Sequence, residues 1–420
     1  MRNYLTSYCL IRGNPGIIIN NVCIVYNPNQ NRLFSIPIEK LSDEKSLQVI
    51  PQITPKNKLS NSSRAELMLI VTRDCNLRCK YCFAYGGEIK NRMPVEVGVN
   101  AIRYVLEDNV KELKLTFSGG EATTHQDIFY ACVEEVEKSG VKPIYIVATN
   151  GVINPKFLEF LISKKFMFSI SFDGTPDVHD SLRPLAGGKG SAIFIENTIK
   201  RLREADISFR TRTTITFDTV ERMPDFVEYF ANLGVKYIDF ELLDPWGRAA
   251  DKDMKLVDIE KFVEFFEKSL DVAEHLGVSI GTASLINFKE PSYQLCPGII
   301  GKQFMVLPDG KITRCNDVMD ESHFLADLFL VGHYDFSSKS FIIDRPDIVK
   351  KLDGFSVDEI PACKDCFIKY LCSGGCLARH LWLNKSKDLT NVSSYQCELN
   401  RKIITLIILR MWRKINSKRA

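Results

Sequence analysis

The stretch ELMLIVTRDCNLRCKYCF, residues 66–83, decides how the chain is read. It opens as an apolar run over 66–72 of the kind that forms a buried strand. It closes on Cys75, Cys79 and Cys82, with three and then two residues between them. A strand followed at once by a thiol-bearing loop fits α/β folds, which collect their chemistry after the C-terminal ends of parallel strands. Three thiolates can hold three irons of a [4Fe–4S] cube and leave the fourth iron open. A zinc site short of one ligand, or plain buried cysteines, are the bland alternatives.

Working outward, the strand pattern recurs at 112–120, 143–151, 166–174, 207–215 and 235–243, with amphipathic stretches between. Six tandem strand and helix units predict a parallel sheet with right-handed crossovers, a partial (β/α)6 TIM-like barrel of α/β class. The loops after these strands carry SGGE (118–121), TNG (149–151) and FDGTPDVHDSLRPLAGGKGSA (172–192). The expected organisation is a small β-rich segment over 1–62, the barrel over 63–290, a cysteine-rich domain over 291–400 and a basic helix over 401–420. In the first segment, GIIINNVCIVYNPNQNRLFSI (16–36) reads as a hairpin turning at NPNQN. A long helix is expected within 257–277.

Composition narrows the class. The 420 residues are 45% hydrophobic and 25% charged, with a net charge of +3, which gives no electrostatic case for a nucleic-acid partner. No run approaches a membrane span and the start lacks a secretion signal, so a cytoplasmic location is expected. Residues 401–420 carry seven basic and no acidic side chains. Ile404, Ile408, Met411 and Ile415 recur there at helical spacing and predict a helix docked on the core, membrane-surface attachment being the alternative. Thirteen cysteines in such a chain point to metal more than to disulfides.

Cys75, Cys79 and Cys82, with Tyr81 just before the last, resemble the CxxxCxxC signature of the radical S-adenosylmethionine superfamily. SGGE resembles that family's GGE motif, and SFDG (171–174) its ribose-contacting segment; Ala122 departs from the usual proline. The resemblance implies a cluster on the three cysteines and S-adenosylmethionine on its open iron. It places Gly119, Gly120 and Glu121 at the methionine amino group, Ser171 at the ribose and Tyr81 beside the cofactor, and it implies a 5′-deoxyadenosyl radical that abstracts a substrate hydrogen.

The second cluster runs Cys296, Gly310, Cys315, Cys363, Cys366, Cys372, Cys376 and Cys397. This looks like the SPASM extension, which implies two auxiliary [4Fe–4S] clusters and three in all. Matched by position, Cys363, Cys366, Cys372 and Cys397 would ligate one, and Cys296, Cys315 and Cys376 the other, which lacks a fourth cysteine. A zinc site is the alternative for the CxxC portion.

The implied reaction is an oxidative side-chain crosslink, carbon–carbon or thioether, on a ribosomally made precursor peptide with a leader, with flavodoxin or ferredoxin as electron donor. Anaerobic sulfatase maturases, which make formylglycine, are the rival, and the 172–192 loop resembles theirs. They carry an aspartate directly after the cysteine matching Cys315; here it is Asn316, which cannot act as a base, followed by Asp317 as the candidate catalytic residue. A non-catalytic iron–sulfur carrier is the third possibility. His125, His179 and His380 read as satisfied structural histidines, and Cys132 as core. Cys9 and Cys23 remain candidates for the missing fourth ligand.

Overall fold

The computed structural model describes residues 7–56, 63–106, 110–294 and 296–417; Lys418 and Arg419 of the basic tail lie outside them. Four antiparallel strands come first: β1 (Ser7–Ile11), β2 (Asn14–Ile19), β3 (Val22–Asn27) and β4 (Arg32–Pro37), ordered 1-2-3-4. The turn read at NPNQN joins β3 to β4, and a tighter one at Asn20 and Asn21 joins β2 to β3. A short helix, α1 (Glu44–Leu47), follows, begun by Asp43, whose carboxylate accepts from Lys45 N at 3.1 Å.

The six strands expected of the barrel are all present and parallel: β5 (Arg64–Thr72), β6 (Glu112–Gly119), β7 (Lys142–Thr149), β8 (Met167–Ser171), β9 (Phe209–Ile215) and β10 (Tyr237–Leu242). Each pairs with the next in chain order, the signature of repeated strand–helix–strand crossovers. The intervening helices are α2 (Val95–Val105), α3 (Gln126–Ser139), α4 (Pro155–Ser163), α5 (Pro176–Leu182), α6 (Ala192–Glu204) and α7 (Met223–Asn232). Their apolar stripes are buried. In α3 these are Ile128, Phe129, Cys132, Val133 and Val136, with Phe129 stacked on Phe117 of β6 at 4.0 Å between ring centroids. After a single turn, α8 (Arg248–Asp251), comes the long helix α9 (Ile259–Leu276), which Asp258 caps by accepting from Lys261 N at 2.9 Å.

The sheet is open, not closed. Beyond β10 it gains β11 (Ser279–Gly281), and on the other side β5 pairs in parallel with β12 (Gln303–Val306), continuing through β13 (Lys311–Thr313), β14 (Leu330–Asp335) and β15 (Ser340–Ile343). A bare edge on β5 would leave a row of unpaired backbone groups; β12 covers it.

Two compact units result, and neither is continuous in sequence. One holds 61–281 and 298–353, the other 1–60, 282–297 and 354–420. The 291–400 segment is therefore divided, its strands β12 to β15 lying in the barrel's sheet. In the second unit the N-terminal sheet and the C-terminal segments share one core. Ile17, Ile24 and Tyr26 pack with Phe288, Phe367, Ile368, Leu371, Ile404 and Ile408, and Tyr8 stacks on Phe367 at 4.1 Å. The C-terminal helix runs Ser394–Ser417, so Cys397 lies in its first turn. Ile404 and Ile408 are buried as expected and Met411 is partly so, but Ile415 is 40% exposed, because the helix outruns its core. Among the described residues no helix is long and apolar enough to cross a membrane.

Candidate active site and its cysteines

The loop after β5 is held from three sides. Arg78 N donates to Pro184 O at 2.8 Å, Lys80 N to Leu182 O at 2.9 Å, and Ala186 N to Asn76 O at 2.9 Å, which stitches the cysteine loop to the loop after β8. Arg248 of α8, nine-tenths buried, donates to Cys79 O at 3.1 Å and Gly86 O at 2.9 Å. From the second loop, Gly120 N donates to Thr72 O at 2.7 Å and Glu121 N to Asp74 O at 2.8 Å. The double glycine is explained by this approach: a Cβ on Gly119 would lie 2.3 Å from Thr72 O, and one on Gly120 2.3 Å from Asp74 O.

Each of the three thiols faces an N–H donor from the chain. Cys75 Sγ receives Leu77 N at 3.4 Å and Asn150 Nδ2 at 3.6 Å, Cys82 Sγ receives Gly86 N at 3.2 Å, and Arg183 Nη1 lies 3.8 Å from Cys79 Sγ. Burial, reinforced by Glu121, pushes the Cys75 thiol up to about 12. Burial pushes Cys79 up to about 11 against the opposing pull of Arg183. Thiols kept protonated by burial, yet ringed by donors suited to sulfur, fit a cationic cluster, whose binding would drive off their protons. No three thiol, imidazole or carboxylate groups among the described residues converge on one point as a single ion requires.

Glu121 is fully buried and takes four donors: Thr123 N at 3.2 Å, Thr123 Oγ1 at 2.6 Å, Thr149 Oγ1 at 2.8 Å and Asn150 N at 2.6 Å. Desolvation raises its carboxyl pKa despite them. The residue read as an ammonium acceptor thus also locks the second loop to the third. Ser171 ends β8, half-buried. Two residues on, Asp173 is 1% exposed and gathers the Tyr81 hydroxyl, Arg183 Nε at 2.8 Å and Thr214 N at 3.0 Å. The Arg183 guanidinium also lies 5.2 Å from the Tyr81 ring centroid.

The histidines are structural, as read. His179 Nδ1 accepts from Asp173 N at 3.1 Å, which leaves the proton on Nε2, 3.0 Å from Ser191 Oγ. Burial holds His179 down at about 4. His125 Nε2 meets Thr72 Oγ1 at 3.2 Å, and His380 accepts from Ser393 N at 2.8 Å and meets Gly374 O at 2.9 Å.

In the other unit, Cys363, Cys366, Cys372 and Cys397 come together. Burial first, then Cys366 and Cys397, push Cys363 up to about 12, and Cys372, raised chiefly by burial, is raised further by Cys366, Cys363 and Cys397. Asn400 Nδ2 donates to Cys372 Sγ at 3.1 Å, and Arg401 hydrogen-bonds Cys366. Cys296 and Cys376 belong to this unit; Cys315, buried after β13 with its N–H 3.2 Å from Thr313 Oγ1, belongs to the barrel's. Asp317 is half-buried and accepts from Asn316 Nδ2 at 2.9 Å.

Sequence reasoning missed several participants. Asn150 and Asp173 sat inside quoted motifs without roles, and Arg248 had no signal. Asp320 escaped too: Arg73, at the foot of the cysteine loop, donates to it. Burial opposes its charge, but hydrogen bonds from Ser322 and Arg73 prevail and hold its carboxyl below the ordinary range.

An open parallel sheet with a three-thiol loop at the end of its first strand gathers the loops after β5, β6, β7 and β8 around those thiols. The radical SAM superfamily model matches residues 69–230, so the chain carries a radical SAM domain there. It is 24% identical over 335 residues to the cysteine-type anaerobic sulfatase-maturating enzyme of Clostridium novyi, spanning 75% of this chain and 88% of that one. It is 32% identical over 206 residues to a protein of Methanocaldococcus jannaschii (48% and 70%), and 26% over 376 residues to the radical SAM cyclopropyl synthase TigE of Paramaledivibacter caminithermalis (82% and 74%). Among solved structures, native anSMEcpe with bound AdoMet and Cp18Cys peptide matches with a TM-score of 0.67 at 21% identity, covering 84% of this chain and 99% of that one. Streptococcus suis SuiB bound to precursor peptide SuiA gives 0.59 at 14% identity, covering 94% and 100%.

Proposed function

We propose that this radical SAM enzyme modifies a ribosomally made precursor peptide by an oxidative side-chain crosslink. The observation that carries the choice is Asn316. The position after Cys315 bears an amide, whose Nδ2–H donates to Asp317 at 2.9 Å, so the side chain at the position of the sulfatase maturases' aspartate cannot act as a base. Likeness to TigE, a radical SAM cyclopropyl synthase, supports a reaction other than formylglycine formation. The sulfatase-maturase likeness supports the rival, in which Asp317 takes over as base.

Cys75, Cys79 and Cys82 would hold the first cluster, with the Gly119–Glu121 loop and Ser171 holding S-adenosylmethionine beside it. When bound, these groups supply a 5′-deoxyadenosyl radical that removes a substrate hydrogen. The chain's own part is positional. Arg183 and Asp173 tie Tyr81 of the cysteine loop to the loop after β8, and the buried Glu121 joins three loops, so ligand groups meet side chains already held in place. Cys363, Cys366, Cys372 and Cys397 would close a second cluster, and Cys296, Cys315 and Cys376 would hold a third with one open iron. Flavodoxin or ferredoxin in a reducing cytoplasm would supply the electrons.

The test presents reconstituted enzyme with a precursor peptide library and a cysteine-type sulfatase peptide. Products lighter by two hydrogens and inert to hydrazide support the crosslink. A hydrazide-reactive aldehyde on the sulfatase peptide supports the maturase.

A further inference from the structure

Two thiols in the N-terminal sheet play no part in the chemistry above. Cys9 on β1 stands opposite Gly16 of β2, and Cys23 on β3 stands opposite Ile18 of β2. Residues two apart on a strand share a face, so both thiols project from the same face of β2. The outer strands of a flat three-stranded sheet are about 9.5 Å apart, beyond the reach of two cysteines. Here the sulfurs are 3.0 Å apart. Gly16 makes that possible: a Cβ there would lie 2.4 Å from Cys9 Sγ and 3.1 Å from Cys23 Sγ. The two thiols differ in access, since Cys9 is half-buried while Cys23 is fully buried in the cluster of Val25, Ile36 and Ile50.

We propose that Cys9 and Cys23 form a thiol–disulfide site, in which a low-molecular-weight disulfide of the glutathione class closes a bond across Gly16 and ties the edge strand β1 to β3. The Cys9 thiolate, the accessible one, attacks a sulfur of the reagent; the reagent's S–S bond breaks, and the released thiolate takes up the proton Cys9 gave to solvent. Cys23 Sγ then attacks the Cys9 sulfur and displaces the second thiolate, which takes the Cys23 proton. Two electrons pass from the cysteine pair to the reagent, and a dithiol reductant reverses both steps. The hydrogen bond from Cys23 holds the Cys9 thiol below its ordinary range, which favours it as the attacking group. Closure brings the sulfurs to about 2.05 Å and the Cα atoms below about 7 Å, so β1 must draw inward. An edge strand with one neighbour gives way most easily.

The full chain, reduced and then equilibrated with oxidised glutathione under anaerobic conditions, is alkylated, digested and read by mass spectrometry. The Cys9–Cys23 linked peptide is expected as the main form of both residues, lost on treatment with dithiothreitol. Gly16→Ala should lower the linked fraction at least about tenfold by separating the sulfurs. Cys23→Ser should leave a stable glutathione adduct on Cys9, which decides the matter even if Gly16→Ala folds poorly. Separate adducts or free alkylated thiols at both positions in the unaltered chain would overturn the site, as would linkage of either residue to a cluster cysteine.

Discussion

The two cysteine sets are built in opposite ways. The three thiols after β5 lie within eight residues of one loop and take donors from that loop, Gly86 N–H, and from the loops after β7 and β8, Asn150 and Arg183. The four thiols of the other unit come from 363–372 and from the first turn of a helix that starts at Ser394, with Asn400 and Arg401 of that helix as their donors. The first has three cysteines and is tied by backbone hydrogen bonds to the neighbouring loops of the barrel. The second has four cysteines, two of which, Cys366 and Cys372, pack against the core that the N-terminal sheet shares with the chain's end. On the proposed assignment, three thiols would leave one iron of a cluster open to a ligand, whereas four would close it.

The largest effect should separate the two sites. Cys75→Ser should abolish S-adenosylmethionine cleavage, whereas Cys372→Ser should lower bound iron by about four per chain and leave cleavage within about tenfold. Loss of cleavage in both, measured as 5′-deoxyadenosine, would break the distinction. Next, Arg183→Lys keeps the charge but not the fork that spans Asp173 and Thr214, so cleavage should fall about 10–100-fold with iron content unchanged. A more modest effect belongs to Gly119→Ala, a Cβ against Thr72 O at a φ of +140, which should cost about 1–3 kcal/mol in denaturant unfolding of the barrel. The pH response should be gradual. His179 titrates near 6.5 when unfolded and near 4 when folded, so the folded chain keeps it neutral. That contribution is complete above about 6.5 and declines as pH falls from there towards 4, by about 3 kcal/mol in total. His179→Gln should flatten unfolding free energy across that window; an unchanged slope would move the titration elsewhere.

The barrel was legible because its signals are local. Each strand is an apolar run, each crossover an amphipathic stretch, and every observed strand from β5 to β10 falls within two residues of its predicted start. The cysteine loop, SGGE and SFDG were legible for the same reason. What stayed hidden is non-local. Nothing in QFMV announces a strand laid beside β5, and nothing in IIIN or CIVY announces a core shared with Phe367 and Ile404. Asp320 was invisible because its meaning lies in Arg73, far away in sequence. Glu121 carried a motif but not its four donors, which come from two loops.

The most direct test is anaerobic reconstitution of the unaltered chain and of Cys79→Ala, with iron counted and 5′-deoxyadenosine measured after S-adenosylmethionine and dithionite are added. The account predicts about twelve irons and cleavage in the first, and about eight irons without cleavage in the second. Cleavage that survives Cys79→Ala, or an unaltered chain that binds neither iron nor S-adenosylmethionine, would contradict it.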